Sequence, residues 1–184
     1  MTLVCPVDFE NTHNMLKLWS NGVLTSNLSE TGPNISGQSV SLLFNSLKPF
    51  QLTHEKYRHP ASLSSKKESL DTFLRMEQWL NDTPDLAAQA ANEFLHSFYQ
   101  QNSLHKKSLF LKNKQVLLSD INCPVLNFYA TKDHIVPPAS AQALSQHIKT
   151  SLYQEAPLQG GHIGAFISKK TQHQLINKLN DWLE

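Results

Sequence analysis

The sequence predicts an α/β fold built on parallel strands, and three observations carry the prediction. Two apolar runs, "LVCPVDF" (3–9) and "CPVLNFYA" (123–130), read as buried strands. From residue 123 onward the segments alternate strand, helix, strand, helix, the pattern of a βαβ unit. An acid, Asp133, stands just beyond the second run in "YATKDHIVPP" (129–138), and a glycine-flanked histidine, His162, follows in "QGGHIGAF" (159–166).

Taken in order, the run 3–9 is the first strand. Residues 10–62, including "NGVLTSNLSETGPNISGQ" (21–38), are rich in Asn, Ser, Gly and Pro, and read as irregular structure, either a lid or a surface loop. Leu70, Phe73, Leu74 and Met76–Leu80 predict an amphipathic helix ending near Asn81. Thr83, Pro84 and Asp85 carry the signals of a second helix start, with Ala87, Ala90, Ala91, Phe94 and Phe98 as its apolar face. "SLFLKNKQVLL" (108–118) reads as two short strands about a turn. "PPASAQALSQHI" (137–148) is a helix with Pro at its start, and "TSLYQEA" (150–156) is the next strand. Leu175, Ile176, Leu179, Trp182 and Leu183 then mark one face of a final helix.

The chain has 184 residues, 40% of them hydrophobic, enough to bury one compact core. Sixteen basic against fifteen acidic side chains leave a net charge of +1, which argues against nucleic acid as a partner. No stretch approaches the ~18 apolar residues of a membrane span, and "MTLVCPVDFE" lacks the basic start and apolar core of a signal peptide. Two cysteines, Cys5 and Cys123, make neither a disulfide framework nor a zinc site, so a reducing, cytoplasmic setting is expected.

Functional groups of parallel sheets gather beyond the carboxyl ends of the strands. A buried Asp133 bonded to one nitrogen of His162 would leave the other nitrogen as a general base. Gly160, Gly161 and Gly164 would let the backbone turn around the histidine. Acid followed by histidine near the end of a chain is the order of the α/β-hydrolase fold, whose nucleophile comes first in G-x-S-x-G or a cysteine variant. Of the six glycines, at 22, 32, 37, 160, 161 and 164, only Gly160 and Gly164 are four apart, and His162 lies between them. There is no nucleophile elbow in this chain, which also disfavours an ordinary esterase. Cys5 and Cys123 each precede a proline at an expected strand start and read as small core thiols. Ser36 in "NISGQ" lacks a strand-to-helix context. No metal is expected: "HEKYRH" (54–59) spaces its histidines five apart, about 140° around a helix.

"PVDF" (6–9), "LKPF" (47–50), "FLRMEQWLNDTPD" (73–85), "FYQQN" (98–102), "PVLNFYATKDHIVPP" (124–138) and "GGHIG" (160–164) resemble the catalytic subunit of class III polyhydroxyalkanoate synthases, in the family's order and over nearly the whole chain. The resemblance is to the C-terminal portion of that subunit, and it leaves out the part carrying the oxyanion region and the G-x-C-x-G cysteine. A truncated gene product, one half of a split gene and a fragment all fit this. It implies a C-terminal part of an α/β-hydrolase fold, with residues 1–19 and 106–184 as partial core and 20–105 as a mainly helical cap or lid insertion. It further implies an acyltransferase that polymerises (R)-3-hydroxyacyl-coenzyme A into polyester, with hydroxyacyl-coenzyme A as substrate and no cofactor. The absent cysteine would be activated by His162, while Asp133 would either orient His162 or help deprotonate the substrate's 3-hydroxyl. Implied partners are a second synthase subunit, the missing N-terminal half and the growing polymer, with the granule surface as a location. Alone, the chain is expected to be inactive and, with an open apolar strand at 3–9, to self-associate. The alternative is a non-catalytic module that binds the synthase partner or the granule.

Overall fold

The structure, a computed structural model, describes residues 1–10, 15–22, 32–46, 67–149 and 151–184. Its elements run β1 (Thr2–Leu3), α1 (Met15–Ser20), β2 (Asn34–Ile35), α2 (Gly37–Ser46), α3 (Lys67–Asn81), β3 (Leu86–Ala87) and α4 (Ala88–Phe94), which continues as a π-helical turn (Leu95–Gln100). There follow β4 (Phe110–Leu111), β5 (Lys114–Gln115), a 3-10 turn (Leu118–Asp120) and β6 (Val125–Ala130). Next come α5 (Pro138–Gln142) with a 3-10 continuation (Ala143–Gln146), β7 (Tyr153–Leu158), α6 (Gly164–Ile167) and α7 (Lys169–Leu183). "LKPF" and "HEKYRH" lie outside the described residues.

The chain divides into two compact units, Met1–Val23 with Phe94–Glu184, and Leu24–Glu93. Residues 94–105, which the sequence reading grouped with the insertion, pack in the first. The rings of Phe94, Phe98 and Tyr99 surround buried Phe9 at centroid distances of 6.4, 5.4 and 4.9 Å.

The first unit is organised by a parallel three-stranded sheet in the order β1-β6-β7. Alternation along β6 sends Leu126, Phe128 and Ala130 to one face, where they meet Ala156, Leu158 and the Leu175, Leu179 and Trp182 side chains of α7. Val125 goes to the other face, against Val7, Ala143 and Leu144. Helices therefore cover both faces, which is why β6 reads as a continuous apolar run. Phe128 is fully buried, and its burial contributes about 2–3 kcal/mol. Asn127 breaks the run because it is used: its amide donates to the Ala141 carbonyl at 2.9 Å and to the Tyr153 hydroxyl at 3.0 Å, and its oxygen accepts from the Thr2 hydroxyl at 2.7 Å.

Three local expectations are corrected. The first strand ends at Leu3, not Phe9, because Val4 takes φ +45° and turns the chain off the sheet. The Val7 and Asp8 amides then donate to the Ser140 carbonyl instead of to a strand. The helix expected from Thr83 starts at Ala88, because Leu86–Ala87 pair antiparallel with Asn34–Ile35 and Asp85 accepts from the Gly37 amide at 2.9 Å. Gly37 is required there, since a Cβ would lie 1.7 Å from the Thr83 carbonyl oxygen. On α7, Ile176 and Leu183 are exposed, while Leu175, Leu179 and Trp182 pack on the core. The hairpin expected around residues 112–114 is present as β4–β5, its turn made by Lys112 and Asn113 at φ +48° and +63°.

Candidate active site

Beyond β6 and β7 the strand pairing continues into the loops. The Thr131 amide donates to the Leu158 carbonyl at 2.9 Å and the Lys132 amide to the Gly160 carbonyl at 2.8 Å. These two bonds stitch the Asp133 loop to the His162 loop. Gly160 accepts this turn because it sits at φ +146°, where a side chain would be strained. Gly161 and Gly164 show no such requirement: the nearest atom to a Cβ at Gly161 is 3.5 Å away, and nothing lies within 4 Å at Gly164.

The loops bring together the two residues that the sequence singled out. His162 Nδ1 lies 2.8 Å from Asp133 Oδ2. The other carboxylate oxygen, Oδ1, accepts from the Ile135 and Val136 amides, both at 2.9 Å. Two backbone donors and one imidazole thus occupy the carboxylate. The Asp133 side chain has no exposed surface, while that of His162 is 25% exposed. A carboxylate at Nδ1 selects the tautomer with its proton there, leaving the Nε2 lone pair available. Among the described residues, Nε2 has no hydrogen-bond partner.

The sequence reading missed Phe166, whose ring centroid lies 6.1 Å from that of His162 at an interplanar angle of 63°. The i, i+4 spacing was the signal available for it.

No nucleophile is hydrogen-bonded to His162 among the described residues. Cys5 and Cys123 are both exposed, not core thiols as expected. Cys123 precedes β6, at the opposite end from Asp133, whereas Cys5 follows β1 and does not start it. Partial cover over Cys5 pushes its thiol up, away from the reactive thiolate. Ser36 does stand between a strand and a helix, contrary to expectation, but its hydroxyl accepts from the Ser39 amide at 3.2 Å and serves as a helix cap. Among the described residues no group of three or more His, Cys, Asp or Glu side chains could hold a metal, and no helix is long and apolar enough to cross a membrane.

No protein-family model matches the chain. Individual relatives do. The poly(3-hydroxyalkanoate) polymerase subunit PhaC of Allochromatium vinosum is 38% identical over 183 residues, a match covering 100% of this chain and 52% of the relative. This chain is a homologue of the PhaC polymerase subunits. The subunits of Thiocystis violacea and Synechocystis are 37% and 36% identical, again over 100% of this chain and 52% and 50% of their own lengths. The chain therefore spans about half the length of these homologues, and the Asp133–His162 pair lies within the half that it spans.

Proposed function

We propose that the chain is the C-terminal, Asp/His-bearing portion of a polyhydroxyalkanoate synthase, an acyltransferase that polymerises (R)-3-hydroxyacyl-coenzyme A into polyester. Its first unit is the C-terminal part of an α/β-hydrolase core, and Leu24–Glu93 is the cap-like insertion. The observation that carries this reading is a buried carboxylate 2.8 Å from a partly exposed imidazole, in a chain whose full length matches polymerase subunits.

In the reaction, Nε2 of His162 takes the proton of a cysteine thiol supplied by the remaining half of the enzyme. The thiolate attacks the acyl thioester, and coenzyme A leaves as the thiol with the proton returned from Nε2. Nε2 then takes the proton of an incoming 3-hydroxyl, whose oxygen attacks the enzyme-bound acyl group to form the ester; the acyl–cysteine bond breaks, and the cysteine leaves as the thiol with the proton returned from Nε2. The bonding of Asp133 supports an orienting role: with Oδ1 on two amides, Oδ2 on His162 and no exposed surface, it has no lone pair turned to solvent for a hydroxyl. It would instead balance the positive charge on the imidazolium.

The sheet edges support a protein partner. Among the described residues β1 is paired only on its β6 side. The outer edge of β7 carries Pro157, which has no N–H to offer another strand. In this reading β1 accepts a strand from the complementary half, and the assembled enzyme works with a second subunit at the polymer granule, in the cytoplasm.

The test is thiol release from 3-hydroxybutyryl-coenzyme A. The chain alone should show none. Mixed with the half of the A. vinosum subunit that it does not match, it should gain activity that His162→Ala abolishes. Normal turnover by the chain alone, or by the His162→Ala mixture, would overturn the assignment.

A second reading, a non-catalytic module, is favoured by the exposed Leu42, Phe44, Leu74 and Trp79 of the second unit. It requires binding to the synthase partner or to granules that survives His162→Ala unchanged while no mixture gains activity.

A further inference from the structure

Phe166 stands one helical turn beyond His162 and keeps half of its surface in water, 50% exposed, so core packing does not account for the ring. Its backbone is well fixed. The Phe166 amide donates to the Ile163 carbonyl at 3.0 Å, its carbonyl accepts from the Gln172 side chain at 2.7 Å, and its neighbour Ala165 is buried at 1% exposure. The ring is thereby held beside the imidazole, centroids 6.1 Å apart and planes inclined at 63°. Beyond its own Cβ–Cγ bond, the imidazole is held by Asp133 at one point, Nδ1. These two attachments still allow the ring to rock about the line that joins them, which moves Nε2, the atom on the far side. An inclined aromatic neighbour removes this freedom and favours one plane over the others.

We propose that Phe166 is a positioning residue for acyl transfer: its ring fixes the plane of His162 and so aims Nε2 at the reacting thiol and hydroxyl. The proposal rests on the synthase reading above. The competing role for an exposed phenyl ring in this place is a wall for the acyl chain, and the two separate kinetically.

The experiment uses Phe166→Leu and Phe166→Tyr in the enzyme assembled from this chain and the non-matching half of the A. vinosum subunit. Phe166→Leu should lower kcat about two- to tenfold, the range of one aromatic pair, with KM for 3-hydroxybutyryl-coenzyme A unchanged. Phe166→Tyr should restore kcat. An unchanged kcat in Phe166→Leu, or a raised KM with kcat kept, overturns the proposal. A second measurement needs no turnover: nitrogen, carbon and proton NMR of the His162 ring in the full 184-residue chain, assigned with His162→Gln. Phe166→Leu should remove the ring-current displacement of the His162 carbon-bound protons and lower the order parameter of the ring's C–H bonds, with the tautomer still set by Asp133, and Phe166→Tyr should preserve both features. A His162 ring as rigid in Phe166→Leu as in the unsubstituted chain overturns the positioning role. Failure of every mixture to release thiol, with these NMR changes present, overturns the synthase reading alone.

Discussion

Two histidines in the first unit each use one ring nitrogen to hold a partner far away in sequence, and they do opposite things. His162 meets a carboxylate at 2.8 Å, and His147 meets another imidazole, with His147 Nε2 3.0 Å from His105 Nδ1. The carboxylate puts a negative charge beside the ring, and part of the His162 side chain stays exposed. The imidazole partner offers no such charge. His147 is 7% exposed, and its rings cross those of His105 nearly at right angles, 86° with centroids 4.8 Å apart. Burial, then the fields of His105 and Lys107, push its pKa below the ordinary 6.5, and Asp8 only partly opposes them. His147 is thus a neutral clip joining the end of the α5 segment to the turn at 101–107. Asn102 ties the same turn to the chain after β1, through Asp8 Oδ1 at 2.8 Å and the Phe9 amide at 3.0 Å. The two pairs differ in the charge of the partner and in exposure more than in the bond itself.

The largest effect should come from removing that charge at the site. Asp133→Asn keeps an oxygen for the Ile135 and Val136 amides but turns an N–H toward Nδ1, which selects the wrong imidazole tautomer. In the assembled enzyme kcat should fall about a thousand- to ten-thousandfold, while the melting temperature of the chain moves little. Activity within tenfold of the unsubstituted enzyme would end the argument that the carboxylate makes His162 a base.

The clip should respond in stability. His147→Ala leaves half-buried His105 without its partner and should cost about 1–3 kcal/mol at pH 7.5, read by denaturant unfolding. The pH dependence follows in sign from the depressed pKa. Above the unfolded value near 6.5 neither state carries the proton. Below it the unfolded chain takes up a proton that the folded chain resists, so stability falls as pH drops. The melting temperature should therefore decline between pH 7 and 5 more steeply in the unsubstituted chain than in His147→Ala. His105→Asp, which supplies the kind of partner His162 has, should make that decline shallower. Equal slopes in all three chains would remove His147 as the titrating group.

These two pairs also mark how far the sequence could be read. Asp133 was legible because it follows a strand whose apolar run is unmistakable, and His162 because glycines frame it. β6 and α7 were legible from patterns set by burial, α3 from its helical spacing although Leu74 and Trp79 are exposed, and β7 only as a candidate between two helices. His105 and His147 carry no motif, and only the fold closes the 42 residues between them. β1 was read too long because the left-handed turn at Val4 leaves no signature in a β-branched residue, which rarely adopts it. The start of α4 was misplaced because Thr83, Pro84 and Asp85 have good capping chemistry, but the Asp85 carboxylate is used by Gly37 across the unit. Tertiary demand overrode local preference there. The cysteines were misjudged because an apolar neighbourhood in sequence is no guarantee of burial at a strand's end.

The smallest effect discriminates between burial and neighbouring charge as what holds His147 neutral. Lys107 is exposed and stands behind burial and His105 in its influence on His147. It sits at φ +58°, a conformation that Gln tolerates about as well as Lys, so Lys107→Gln removes the charge without adding strain. At pH 7.5, where His147 is neutral, stability should stay within about 0.5 kcal/mol. Below pH 6.5 the decline should become slightly shallower, because one repelling charge has gone. Asp8 cannot serve as the mirror-image probe, since its carboxylate also accepts from Asn102 and from the Glu10 amide. Salt gives the control: at 1 M the screening length is about 3 Å, so the difference between Lys107→Gln and the unsubstituted chain should vanish. The decline itself should persist, because desolvation of a buried imidazole is not screened. A decline that disappeared in salt would mean that charge, and not burial, keeps His147 neutral, and the contrast with His162 would then rest on neighbours at the surface.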